Sequence, residues 1–337
     1  MRPVSIRPIS DAVLKIGLTT KRYLIPGLLT LAGCAASKPL MAVNLPFTDL
    51  RARPGTAATP DTHDPLEETQ LLYGERVRLL STRDGWARVE AVEQPEFTHA
   101  KRWQGYPGWV AASALIAPTS FWTPTIVVTD KWATTWHDAF SRIPSPWRFP
   151  LGARLRAVDM GGQLWKVELL DDTTVWMPRP SGRSLDELQA LPSAEKRQAI
   201  VRNAQLLVGD AYYWGGRSPA SPIQSETVTG IDCSGLVNLA YRTAAIDIPR
   251  DAHEQFLRAR PVAALQPADL LFLSERDNPK RIVHVMLYAG DGDVIEGPGT
   301  GQTVRRISLR QRLGRPLESL APGSVVEGQT VSFGTYF

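Results

Sequence analysis

The stretch Ile231-Asp232-Cys233-Ser234-Gly235-Leu236-Val237-Asn238-Leu239-Ala240-Tyr241-Arg242 constrains this chain more than any other of its length. Apolar residues recur at helical spacing from Leu236, Thr229-Gly230 are loop formers, and Asp232 is a good N-cap. The pattern predicts a buried helix with Cys233 in its first turn. A thiol placed there meets unpaired backbone N–H groups and the positive end of the helix dipole, which favour a nucleophilic thiolate. The alternative for a lone cysteine is a small buried hydrophobe, and the rest of the chain has to decide between the two.

At 337 residues the chain is too long for one ordinary core, which points to two or three domains. Apolar content of 43% and charged content of 21% are those of a folded globular protein, and 27 prolines imply many turns and linkers. The formal charge of +4 is contained in residues 1–33, where Arg2, Arg7, Lys15, Lys21 and Arg22 face Asp11 alone, 5 − 1 = +4. The remainder is neutral, so the charge balance gives no support for nucleic-acid binding. The two cysteines, Cys34 and Cys233, sit in such different contexts that no disulfide framework is expected.

Residues 23–33 (YLIPGLLTLAG) follow scattered positive charge and form a short apolar run ending in small residues, the shape of a secretory signal. The run is too short to span a bilayer as a mature helix. Leu31-Ala32-Gly33-Cys34 resembles the bacterial lipobox. That resemblance implies removal of residues 1–33 as a lipoprotein signal peptide, lipidation of Cys34, and attachment to a membrane in the cell envelope. Ala35, in place of Asp, resembles the sorting pattern for the periplasmic face of the outer membrane in a Gram-negative host.

Residues 34–66 are rich in Pro, Thr, Ala and Asp without sustained periodicity and are expected to form a tether or a wrap segment. From residue 67 short alternating strands follow one another with Gly-containing turns, among them Arg83-Asp84-Gly85, so residues 67–118 read as a small barrel. Its order of Leu72-Tyr73-Gly74-Glu75, Asp84-Gly85-Trp86 and Gly105-Tyr106-Pro107-Gly108-Trp109-Val110 resembles a bacterial SH3-like domain. Residues 119–180 repeat the pattern more weakly and are expected to form a second SH3-like barrel with a long insertion over 132–147. Most of the ten tryptophans fall in these two units, as core filling and strand pairing. Residues 181–193 read as a linker, residues 194–208 as an amphipathic helix ended by Gly209, and residues 194–337 as the domain that carries the cysteine.

A catalytic cysteine needs a base, and the candidates are His63, His99, His137, His253 and His284. His284 lies in an apolar strand, Ile282-Val283-His284-Val285-Met286-Leu287-Tyr288, while His253 lies in a polar helix start. The third group should orient the imidazole, and Glu296 follows the Asp291-Gly292 hairpin signal. A two-residue loop pairing Gly290 with Asp293 would set Glu296 opposite Leu287, away from His284. A three-residue loop, Gly290-Asp291-Gly292, would set it opposite Met286 and within reach of the ring, and that loop is the expectation. No Cys/His cluster has ligand spacing, so no metal and no cofactor is implied.

Tyr212-Tyr213-Trp214-Gly215-Gly216, Asp232-Cys233-Ser234-Gly235, Ile248-Pro249-Arg250-Asp251, Pro267-Ala268-Asp269-Leu270 and the His284 strand occur in the order and spacing of the NlpC-type cell-wall cysteine peptidases. With the barrels ahead of it, the chain resembles γ-D-glutamyl-L-diamino acid endopeptidases. The resemblance implies a multidomain fold, two all-β SH3-like barrels followed by an α+β papain-like domain. It makes Cys233 the nucleophile, His284 the base and Glu296 the third polar residue, in a position where His is common. It places Tyr212 at the oxyanion site, with Asp232 and Ser234 beside the nucleophile. It further implies that Tyr106, on an exposed turn, meets the free amine of an N-terminal L-alanine, with Glu75 and Asp251 as further contacts. The implied partners are peptidoglycan stem peptides or free muropeptides. The other readings are an N-acetylmuramoyl-L-alanine amidase on the same fold, and a wall-binding protein with an idle catalytic domain.

Overall fold

The computed structural model describes residues 38–55, 63–117, 122–159, 161–220 and 229–337. The signal-peptide and Cys34 expectations lie outside the described residues, as does part of the segment 34–66.

Two antiparallel barrels come first. In the first sheet Glu67–Leu72, Phe47–Arg51, Gln104–Ala111, Trp86–Glu96, Arg76–Arg83, Leu40–Val43 and Leu115–Ile116 lie side by side in that order. Leu40–Val43 and Phe47–Arg51 therefore belong to the barrel, not to a tether. They are short, and their apolar residues serve different neighbours. Val43 and Leu50 fill the first barrel's core, while Ala42 packs with Tyr73 against the second barrel's core. A strand that feeds two cores shows no simple alternation. The Asp84-Gly85 turn has φ of 50° and 78°, the left-handed pair that a two-residue hairpin demands.

The second sheet runs Pro144–Pro150, Trp132–Trp136, Thr174–Pro178, Leu164–Glu168, Arg154–Asp159, Ile126–Val128 and Gly182–Ser184. The expected insertion over 132–147 is thus a strand and the start of its paired neighbour, with a register shift between them. The expected linker supplies the closing strand Gly182–Ser184 and helix α1 (Leu185–Ala190), whose N-cap Ser184 accepts from the amide of Glu187.

Helix α2 (Ser193–Gln205) precedes α3 (Cys233–Arg242), α4 (Ala252–Arg258) and α5 (Leu309–Leu313). The sheet behind α3 orders Arg260–Pro261, Gln329–Thr335, Leu270–Glu275, Asn278–Gly290, Asp293–Glu296 and Arg305–Ser308. Leu236, Leu239 and Ala240 of α3 pack on Phe272, Val285 and Leu287 of this sheet in one apolar cluster. All ten residues of α3 are buried, including Asn238 and Arg242. Gly235 lets the helix start close to a neighbouring loop, because a Cβ there would lie 2.3 Å from the Gly216 carbonyl oxygen.

Buried arginines join the domains. Arg217 and Arg242 of the catalytic domain reach Glu75 of the first barrel at 2.7 and 3.5 Å. Gln94 Nε2 donates to the same carboxylate at 3.0 Å. Arg242 also donates to the Gly152 carbonyl of the second barrel at 2.9 Å and to Glu93 at 3.0 Å. Burial alone would raise the Glu75 carboxyl, but the two guanidiniums hold it below its ordinary value. Glu75 is 1% exposed and committed to these partners, so it is not available to a substrate ammonium. Removing one partner of a buried pair strands the other, and Glu75→Ala should cost about 3–5 kcal/mol in equilibrium urea unfolding. A contact serving only substrate would leave the unfolding midpoint where it was.

Candidate active site

The nucleophile's position follows from capping. Asp232 is the N-cap of α3, and its Oδ1 accepts from the Gly235 amide at 2.6 Å. That places Cys233 in the first turn, where its own amide has no partner among the described residues. Tyr212 lines the same cavity of about 390 Å³ as Cys233 and His284. Its hydroxyl makes no hydrogen bond with another described residue. Burial and the negative charges of Asp232 and Cys233 hold it well above the ordinary phenol range, so it stays a donor. The Cys233 amide and the Tyr212 hydroxyl are the two groups that can stabilise an oxyanion here.

His284 sits beside an irregularity of its strand. Leu273 pairs with His284, but Ser274 pairs with Ile282, so Val283 is bulged out. Such a bulge re-aims the neighbouring side chain. The His284 ring takes Glu296 Oε2 at 2.7 Å on Nε2, leaving Nδ1 for the thiol. Burial opposes the imidazolium, but hydrogen bonds and charge from Cys233 and Glu296 more than offset it and hold His284 at about 9.

Glu296 reaches the ring by a different loop from the one expected. Gly290 does pair with Asp293, so the turn is the two-residue Asp291-Gly292, with φ of 54° and 79°. Tyr288 nevertheless pairs with Val294, which leaves Ala289 as an extra residue in a bulge. Gly290, at φ 96°, accommodates it. The bulge shifts the register by one, with Leu287 opposite Ile295, and turns Glu296 to the face of His284. The side chain is fully buried and doubly clamped. Arg305 donates to Oε1 at 3.1 and 2.8 Å. Arg312 Nε donates to both oxygens at 2.9 Å. Burial raises the carboxyl, but His284 and the two guanidiniums bring it down to about 2, so it remains an anion.

The other expected residues take varied places. Asp232 spends its carboxylate on the helix cap and on Arg250, at 2.7 and 3.1 Å. The Ser234 hydroxyl accepts from Arg250 at 2.9 Å. Both therefore form the floor beneath the nucleophile, with no free group to offer a ligand. Tyr106 does line the cavity, but from the strand Gln104–Ala111 and at 4% exposure, not from an exposed turn. The Pro-Gly spelling resembles a turn, whereas Pro107 lies opposite Glu90 within the ladder. The Tyr106 hydroxyl donates to Asp251 at 3.0 Å and to Glu68 at 3.3 Å. Asp251 fronts the cavity, and burial pushes its carboxyl up to about 6 against the pull of Arg250. Glu75 is away from the cavity, and Glu68, seven residues earlier, supplies the barrel's carboxylate there. Glu68, Arg305 and Arg312 were missed by the sequence reading, since an isolated charge on a short strand or helix carries no signal of its partner. Among the described residues no group of three His, Cys, Asp or Glu side chains could hold a metal ion.

The arrangement supports acyl transfer to sulfur with a buried imidazolium–carboxylate pair behind it. Activity should fall as pH rises through about 9, where His284 loses its proton. Glu296→Gln should lower turnover about tenfold or more and move that basic limb to lower pH, because an amide does not stabilise the imidazolium charge. A pH–rate profile of both proteins checks this, and an unmoved limb would separate Glu296 from the chemistry.

Residues 209–315 match the model of the NlpC/P60 family, and residues 58–94 match that of the bacterial dipeptidyl-peptidase SH3 domain. A gamma-D-glutamyl-L-lysine dipeptidyl-peptidase of Bacillus subtilis is 26% identical over 255 residues, 74% of this chain and 78% of that protein. A murein DD-endopeptidase of Escherichia coli is 39% identical over 109 residues, 31% of this chain and 37% of that protein. The crystal structure of an NlpC/P60 family protein from Bacillus cereus superposes with a TM-score of 0.69 at 21% identity, covering 88% of this chain and 99% of that one. That likeness shows the fold, with barrels and papain-like domain together. The chain carries an NlpC/P60 domain and a bacterial SH3 domain, and it is a cysteine peptidase.

Proposed function

We propose that this NlpC/P60 cysteine peptidase acts on cell-wall peptides, hydrolysing the γ-D-glutamyl to diamino acid bond of murein stems that present a free N-terminal L-alanine. The observation that carries the reading is the wall of the catalytic cavity made by Glu68, Tyr106 and Asp251. The first barrel supplies Glu68 and Tyr106, and α4's N-cap supplies Asp251. Two carboxylates and a phenol at one end of a cleft suit an ammonium group. The Bacillus subtilis relative that matches both barrel and catalytic regions is named for a γ-D-glutamyl bond. The Escherichia coli relative that matches about a third of this chain is named for a different bond.

In this mechanism the Cys233 thiolate attacks the γ-carbonyl carbon, and the oxyanion accepts hydrogen bonds from the Cys233 amide and the Tyr212 hydroxyl. The His284 imidazolium gives its proton to the amide nitrogen, the C–N bond breaks, and the diamino acid leaves as an amine. The neutral imidazole then takes a proton from water, whose oxygen attacks the thioester and expels the thiolate. Glu296 stays ionised throughout and orients the ring. An amidase cutting at the lactyl to L-alanine bond would set a neutral sugar where the two carboxylates stand, which makes it the poorer fit.

A site with buried polar partners for an ammonium rejects an acylated amine, so N-acetylation of L-Ala-γ-D-Glu-diaminopimelate should lower kcat/KM on the order of 100-fold or more. Product mass spectrometry on both peptides measures this. Equal rates would overturn the role of the wall, and cleavage elsewhere would overturn the bond.

We also propose that the mature protein starts at a lipidated Cys34, on the strength of Leu31-Ala32-Gly33-Cys34 after the short apolar run. Intact mass of the membrane-extracted protein is expected to show loss of residues 1–33 and a gain of acyl mass. Retention of that segment would refute it.

A further inference from the structure

Arg312 has two faces, and the catalytic machinery uses one of them. Its Nε bonds both oxygens of Glu296 at 2.9 Å. Its two terminal nitrogens make no hydrogen bond or ion pair with another described residue, and the side chain lines the catalytic cavity. Arg305 grips the same carboxylate but does not line the cavity. Arg312 thus holds Glu296 through Nε and still turns a two-nitrogen fork to the cleft. Guanidiniums in that state bind carboxylates in a bidentate, charge-assisted way.

The charge around it points the same way. In the reactive state three cations, His284, Arg305 and Arg312, stand against two anions, Cys233 and Glu296, 3 − 2 = +1. Glu68 and Asp251 bring two carboxylates to the lining of the same cavity, bridged by the Tyr106 hydroxyl. Glu296 occupies Nε2 of His284, so Nδ1, on the thiol side, is the nitrogen that protonates the leaving amine, and Arg312 lines the same cavity as Cys233 and His284. Glu68, Asp251, Cys233 and Arg312 line one cavity, so a substrate whose ammonium meets the two carboxylates and whose γ-carbonyl meets Cys233 leaves Arg312 to the residue beyond the scissile bond.

We propose that Arg312 is the specificity-determining residue for a free carboxylate on the leaving diamino acid. This rests on the bond assignment above. The α-carboxyl of that residue is two bonds from the scissile nitrogen. It is an anion when the peptide ends there and a neutral amide when a further residue is attached. Arg312 thus selects stems that terminate in the diamino acid over longer ones. Arg281 also lines the cavity, but its Nη1 is directed to Thr98 of the first barrel at 3.3 Å, and it serves as the comparison.

The experiment measures kcat/KM for L-Ala-γ-D-Glu-L-Lys as the free acid and as the C-terminal carboxamide. The wild-type protein should prefer the acid roughly tenfold to a hundredfold, the range of a charge-assisted bidentate contact. Arg312→Gln should slow both peptides, since Glu296 loses a clamp, and bring their ratio to about one. Arg312→Lys, which keeps the charge beside Glu296, should retain part of the ratio and covers the case in which the glutamine variant does not fold. Arg281→Gln should leave the ratio unchanged. A wild-type ratio near one, or a preference that persists in Arg312→Gln, overturns the proposal while leaving the bond assignment standing. If the wild-type protein cuts neither these peptides nor their diaminopimelate counterparts, the bond assignment falls and this role falls with it.

Discussion

A continuous line of buried polar contacts runs from the nucleophile's helix to the far barrel, and the geometry of the cleft depends on it. Asp232 holds Arg250 at 2.7 Å, and Arg250 donates to Thr69 of the first barrel at 2.7 Å. Thr69 donates to Gln94, which in turn donates to Glu75, and Glu75 faces Arg217 and Arg242. The line ends where Arg242 meets the Gly152 carbonyl. Arg217 and Arg250 are 0% exposed, so neither can fall back on water. Buried ion pairs are weak contributors to net stability, but every other docking of these surfaces would strand a charge. The barrel is accordingly fixed in one orientation against α3, with Glu68 and Tyr106 held at the cleft.

Within that frame two carboxylates near the nucleophile have been given different work by their partners. Asp232 is neutralised by Arg250 and turned into a helix cap, which leaves the Cys233 amide unengaged. Glu296 is equally buried but is joined to a titratable ring as well as to two arginines, so it can answer the proton on His284. Because Arg305 and Arg312 fix both of its oxygens, the ring is oriented by an anion that cannot rotate away.

What the sequence made legible was local. The loop, N-cap and apolar repeat around Cys233 are all within a dozen residues, and each acts through neighbours in the chain. The strand of His284 and the Asp291-Gly292 turn are legible for the same reason. The face on which Glu296 falls depends on a bulged Ala289, and a bulge has no spelling beyond an adjacent glycine. Glu75 and Glu68 show the limit most clearly. Both are carboxylates at the first barrel's strand pattern, and only partners 38 and 142 residues away, Tyr106 for Glu68 and Arg217 for Glu75, separate a cavity-lining anion from a structural one. Residues 40–51 were obscure because their side chains divide between two cores.

Among the described residues the second barrel contributes none to the catalytic cavity, yet its contacts explain why it is there. Tyr73 of the first barrel accepts from the Leu170 amide and packs edge-on against Phe149. Arg154 grips Asp247, just past α3, with two bonds at 3.0 and 2.7 Å. The Trp132 indole donates to the Ala220 carbonyl, and Lys131 pairs with Asp210 in the approach to Tyr212. The barrel thus touches the first barrel, the loop just past α3 and the segment that leads to Tyr212. A cleft assembled from two domains has a hinge between them unless something spans both, and the second barrel is that brace.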